Sequence, residues 1–63
     1  MILDIQYYDR SPEQWQNVRM TTIYTFQSLS GSAKPELVIH FNDYRPQVNI
    51  RLSDIKCLTT TND

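Results

Sequence analysis

One glycine in a chain of 63 residues excludes a glycine-rich phosphate loop. One cysteine, Cys57, excludes an internal disulfide. One histidine, His40, leaves too few ligands for a Cys/His zinc site within a single chain. No block of like charge occurs, and the formal net charge is −1, from 6 Lys+Arg against 7 Asp+Glu. A broad electrostatic footprint for nucleic acid or an anionic membrane is therefore missing. No segment approaches the length of a membrane span. The opening MILDIQYYDR has no basic n-region and no apolar run of about 7–15 residues, so no secretion signal is expected. A soluble, cytoplasmic protein is the expectation, and the solitary cysteine agrees with a reducing compartment.

A chain this short forms one domain and buries only about 60% of the surface its unfolded form exposes. Domains of this size draw on disulfides, metals, oligomerisation or a good core. With the first two excluded, self-association or efficient packing must supply the remainder.

What is present is mostly strand. Leu3, Ile5 and Tyr7 alternate with Asp4, Gln6 and Tyr8 over residues 2–8, the period of a half-buried strand. Ser11-Pro12-Glu13-Gln14 has the capping-box pattern, with serine as N-cap and proline at the first helical position, and predicts a short helix over 12–17. Residues 17–28, rich in β-branched and aromatic side chains, form the longest extended segment. Strict alternation there puts Val18, Met20, Tyr24 and Phe26 on one face, and Thr21-Thr22 offers a place for a bulge. Residues 29–35, LSGSAKP, read as a flexible loop. Residues 36–42 and 47–52 are two more strands, separated by the turn residues Asn42 to Pro46.

The stretch VNIRLSDIKCL stops its strand pattern at Ser53-Asp54 and resumes it at once. A single 3₁₀ turn fits this spacing, with Ile55 and Leu58 three residues apart. SH3-like and Sm-like barrels turn such a corner before a last short strand, which is an analogy of architecture without a family motif. The predicted fold is all-β with one short helix: a small five-stranded antiparallel meander or a partly closed SH3-like or Sm-like barrel. It spans residues 1–58 as a single domain, with a frayed polar tail over 59–63. Its core is expected to hold Leu3, Ile5, Val18, Met20, Tyr24, Phe26, Leu37, Ile39, Phe41, Val48, Ile50, Leu52 and Ile55.

No nucleophile–base–orienter set is legible, so no enzymatic activity, cofactor or metal is expected. Cys57 reads as a small core residue and His40 as a histidine on a polar strand face. An antiparallel register with Tyr24 opposite Ile39, and Ile39 opposite Ile50, places Ile23 opposite His40 and Thr25 opposite Val38 and Arg51. Ile23 and Val38 then break a polar face side by side, with His40 and Arg51 around them, in the manner of an interface core and rim. Tyr8, Arg19, Tyr44 and Arg45 are the candidates for ligand or nucleic-acid contact, since aromatics interleaved with cations stack bases. The function expected is a non-enzymatic protein-binding module. It would be a regulator, inhibitor or accessory subunit acting by surface occlusion, of the kind phages and plasmids supply. A protein partner and a homodimer are expected. An RNA or single-stranded DNA binder, or a nucleotide binder at a subunit interface, is the less favoured alternative.

Overall fold

The computed structural model describes residues 1–27, 29, 31 and 33–62, with the backbone alone for 26 and 27. Six strands and one 3₁₀ turn follow in order: β1 (Ile2–Tyr7), β2 (Glu13–Trp15), β3 (Val18–Gln27), β4 (Ala33–Phe41), β5 (Val48–Arg51), the 3₁₀ turn Leu52–Asp54 and β6 (Ile55–Thr61). They make two three-stranded antiparallel sheets. Sheet I has the order β2-β1-β6 and sheet II the order β3-β4-β5.

The 3₁₀ turn at Leu52–Asp54 carries the chain out of sheet II and into sheet I, where β6 pairs with β1. A corner at this position and the pairing of first and last strands are what the barrel analogy requires. The two sheets nevertheless remain separate, and the barrel does not close. The central strands supply the core, since each is flanked on both sides and alternates toward the opposing sheet. Leu3, Ile5 and Tyr7 from β1 meet Leu37, Ile39 and Phe41 from β4, with Val18 and Ile50 completing the buried set. Met1, Trp15, Val48, Leu52 and Ile55 pack around it, partly buried. Trp15 stands with its ring centroid 5.7 Å from that of Phe41, tilted by 54°, so β2 is tied to sheet II through an aromatic pair.

The segment over 12–17 is not helical. Glu13–Trp15 extends along β1, with Leu3 opposite Trp15, Asp4 opposite Gln14 and Ile5 opposite Glu13. A helix of one or two turns satisfies few of its own hydrogen bonds. Pairing with the open edge of β1 satisfies the backbone and also lays Trp15 on the core. Thr59–Thr61, expected to fray, instead extends β6 along β1 as far as Ile2 opposite Thr61. Threonine's β-branch suits that edge. Ala33–Pro35, assigned to a loop, begins β4.

Two bulges decide which side chains face inward. In sheet II, Val18 lies opposite Phe41 but Met20 lies opposite His40, so Arg19 is the extra residue. From there the faces are exchanged. Thr21 lies opposite Ile39, Thr22 opposite Val38, Ile23 opposite Leu37 and Tyr24 opposite Glu36. Ile39 meets Val48 across β5 and Leu37 meets Ile50. Met20 and Tyr24, expected in the core, therefore point outward and are exposed. The expected burial of Phe26 concerns a side chain outside the described residues. In sheet I, Tyr7 pairs with Ile55 and Gln6 with Cys57, which makes Lys56 the extra residue. That bulge turns Cys57 to the outside, where it is exposed rather than in the core.

Candidate functional site: the outer face of sheet II

The Arg19 bulge gathers Met20, Thr22 and Tyr24 of β3 onto the same outward face as Val38 and His40 of β4. Asn49 and Arg51 of β5 join them, opposite Val38 and Glu36. Among the described residues no second layer covers this face. Val38 is nevertheless only 4% exposed, because taller neighbours surround it. Thr22, Tyr24, Val38, His40, Gln47 and Asn49 line a shallow cavity of about 300 Å³ with the valine at its floor. Thr22 Oγ1 and His40 Nε2 share a hydrogen bond at 3.0 Å, which fixes the imidazole across the β3–β4 pair. A second hollow, of about 220 Å³, lies beside it between the start of β4 and the end of β5, lined by Ala33, Lys34, Pro35, Arg51 and Ser53.

The charges divide into two groups. Arg10 and Arg45 are engaged. Arg10 donates to Asp54 at 2.9 Å and lies 4.4 Å from the centroid of the Tyr7 ring. Arg45 donates to Asp43 at 2.8 Å and lies 4.6 Å from the Phe41 ring. Its guanidinium holds the Asp43 carboxyl down at about 2, aided by the Arg45 backbone amide and the Asn17 amide. Lys34 and Arg51, at the rim of the outer face, have no ion pair among the described residues, and neither do Arg19 and Lys56. The exposed rim is thus cationic around an apolar and hydrogen-bonding floor, with Glu36 as its one carboxylate.

Ile23 and Val38 do not share a face. Ile23 lies opposite Leu37 on the inward side, where sheet I does not reach it, and is 58% exposed. Val38, His40 and Arg51 do share one. The reason for the difference is the bulge at Arg19, which reverses the faces that unbroken alternation gives to β3 from Met20 onward. Tyr8, Arg19, Tyr44 and Arg45 are not gathered into one site. Tyr8 adjoins the 3₁₀ turn, its amide donating to the Asp54 carbonyl at 3.2 Å. Tyr44 and Arg45 lie in the β4–β5 turn, and Arg45 is held by Asp43 and Phe41. Arg19 occupies the bulge. Tyr24 and Met20 are the site residues that sequence reasoning missed. Their assignment to the core followed from unbroken alternation, and only the bulge overturns it.

Among the described residues no group of three or more His, Cys, Asp or Glu side chains is placed to hold a metal ion. No helix there is long and apolar enough to cross a membrane. No family model, no curated protein and no solved structure matches the chain.

Proposed function

We propose that the chain is a non-enzymatic protein-binding module that works by surface occlusion, and that it binds through the outer face of sheet II. The observation that carries this reading is the uncovered face on which Met20, Tyr24 and Val38 lie among Thr22, His40 and Asn49. An apolar centre with adaptable hydrogen-bonding groups and a charged rim is how protein interfaces are built. Tyrosine adds large contact area at low entropic cost. The unpaired Lys34 and Arg51 at the rim favour a partner that brings apolar side chains flanked by carboxylates. Cys57 and His40, the one thiol and the one imidazole, belong to different sheets, which supports a role without catalysis.

Binding by the immobilised full chain tests the proposal. A protein retained by the wild type should be lost on Tyr24→Glu and kept on Gln6→Glu, a change on the far side of the molecule. Equal retention by both variants would contradict it.

The second reading is a single-stranded nucleic-acid binder, and Tyr24 and Arg51 in one row across the sheet, on either side of Glu36, are the feature that favours it. A labelled single-stranded oligonucleotide decides the matter. Binding at physiological salt that weakens steeply as salt rises supports this alternative, and no binding removes it.

A further inference from the structure

Strand β3 is ten residues long and has β4 as its only strand partner among the described residues. The direction in which each of its backbone groups points follows from one bond. The Asn42 amide donates to the Asn17 carbonyl at 2.9 Å, immediately flanking the Val18–Phe41 pair. In an antiparallel ladder that geometry marks Val18–Phe41 as a pair without hydrogen bonds of its own. Directions alternate along β4, so His40, Val38 and Glu36 turn their backbone toward β3, and Ile39, Leu37 and Pro35 turn theirs away. Proline, which has no N–H, falls at a position where β3 needs none. On β3, Met20, Thr22 and Tyr24 therefore bond to β4. Thr21, Ile23 and Thr25 direct their N–H and C=O groups to the open side, where no partner occurs among the described residues.

Shape adds a second observation. The molecule measures 41 × 26 × 16 Å with a radius of gyration of 12.6 Å, against about 10.6 Å for a compact chain of this length. It exposes 4700 Å², where a compact monomer of 7.5 kDa exposes about 4,250 Å². The excess fits a β3–β4 hairpin that outruns sheet I and leaves Ile23 bare on its inward side. No lysine or proline lies within β3, and its bulge sits at the start, so nothing protects the rest of the edge.

We infer that this edge is occupied by a second copy of the chain, with β3 pairing antiparallel to itself about a two-fold axis at Ile23. This register uses every free group. Ile23 pairs with the partner's Ile23, and Thr21 pairs with the partner's Thr25, each pair exchanging both N–H···O bonds. Two isoleucines meet at the axis, threonines meet threonines on either side, and Thr22 meets the partner's Tyr24 on the outer face. The arrangement is isologous and closes at two copies. It joins two copies of sheet II into one continuous six-stranded sheet and merges their outer faces. The inference rests on the backbone of β3 and not on the binding proposal, so a monomer would leave that proposal standing.

Sedimentation and cross-linking of the full chain test it. The wild type should dimerise by the high-micromolar range. Ile23→Lys, which leaves the backbone intact and sets two like charges together, should weaken the dimer at least tenfold while the monomer stays folded. In a Cys57→Ser background, Ile23→Cys should oxidise to a covalent dimer, because paired Cα atoms lie about 5.5 Å apart, within disulfide span. Tyr24→Cys should not, because the axis carries its two copies apart. A wild type that stays monomeric at high micromolar concentration overturns the inference. So does a dimer unchanged by Ile23→Lys, or cross-linking through position 24 as efficient as through position 23.

Discussion

Ile39 has no exposed surface and lies two residues before the end of β4, where both sheets contribute to its surroundings. Ile39→Ala should cost about 2–5 kcal/mol, the range for emptying a buried aliphatic site. Asn49→Ala, on the opposite face, should cost little, and equal urea midpoints for the two would show the inward face to be wrong. Tyr7 offers a test by pH. Its hydroxyl is buried near the Glu13 carboxylate. Burial pushes its pKa up from 10.0 to about 12, and the negative charge of Glu13 acts in the same direction. Because the folded value lies above the unfolded one, the neutral hydroxyl's contribution is complete below pH 10 and is lost as pH rises through 12. Wild-type stability should fall between about pH 10 and about pH 12, and Tyr7→Phe should flatten that fall. Asp43 shifts the other way, from 3.8 to about 2, first through the side-chain hydrogen bond from Arg45. Arg45→Gln should return the Asp43 carboxyl toward 3.8 in an NMR titration. The burial of Leu3, Ile5, Leu37, Ile39, Phe41 and Ile50 was legible because their strands alternate without interruption. Cys57, Met20 and Tyr24 were misread because each follows a bulge, which no side chain in the sequence announces.

Among the elements, the bulge at Arg19 has the largest consequence. Arg19→Ala keeps the residue count and should leave the fold intact. Deletion of Arg19 removes the extra residue and leaves Val18 opposite Phe41 and Met20 opposite His40 in regular alternation. Met20, Thr22 and Tyr24 would stay outward and Ile23 inward, so the deletion variant should melt close to Arg19→Ala in circular dichroism. A deletion variant that melts far below Arg19→Ala would show that Arg19 is an ordinary ladder residue, whose loss slips β3 by one and turns every later side chain to the other face. The segments Ile2–Tyr7, Val18–Gln27, Ala33–Phe41 and Val48–Arg51 follow hydrophobic periodicity and were legible within a few residues. So was the 3₁₀ corner, from the break at Ser53-Asp54. The strand Glu13–Trp15 was not, because its local signals favour a helix while its partner β1 lies ten residues away along the chain. The same holds for Thr59–Thr61, whose pairing with Ile2–Asp4 spans nearly the whole chain. Local propensity is overridden where a distant strand edge needs a partner.

As a whole molecule, the protein is a two-sheet body from which one hairpin projects. The body contains the core, and the hairpin presents the uncovered outer face of sheet II together with the open edge of β3. The sequence's shortage of staples raises the expectation of self-association, and the two proposals draw on this face and this edge. Backbone hydrogen exchange measured amide by amide reads the groups of that edge directly. At low protein concentration the amides of Thr22 and Tyr24, bonded to β4, should be protected, while those of Thr21, Ile23 and Thr25 exchange freely. At high concentration, or with a bound partner strand, Thr21, Ile23 and Thr25 should become protected together. Protection of these three at every concentration would show that the edge is already closed within one chain. Free exchange of all five would show that β3 and β4 do not form the ladder on which both proposed surfaces depend.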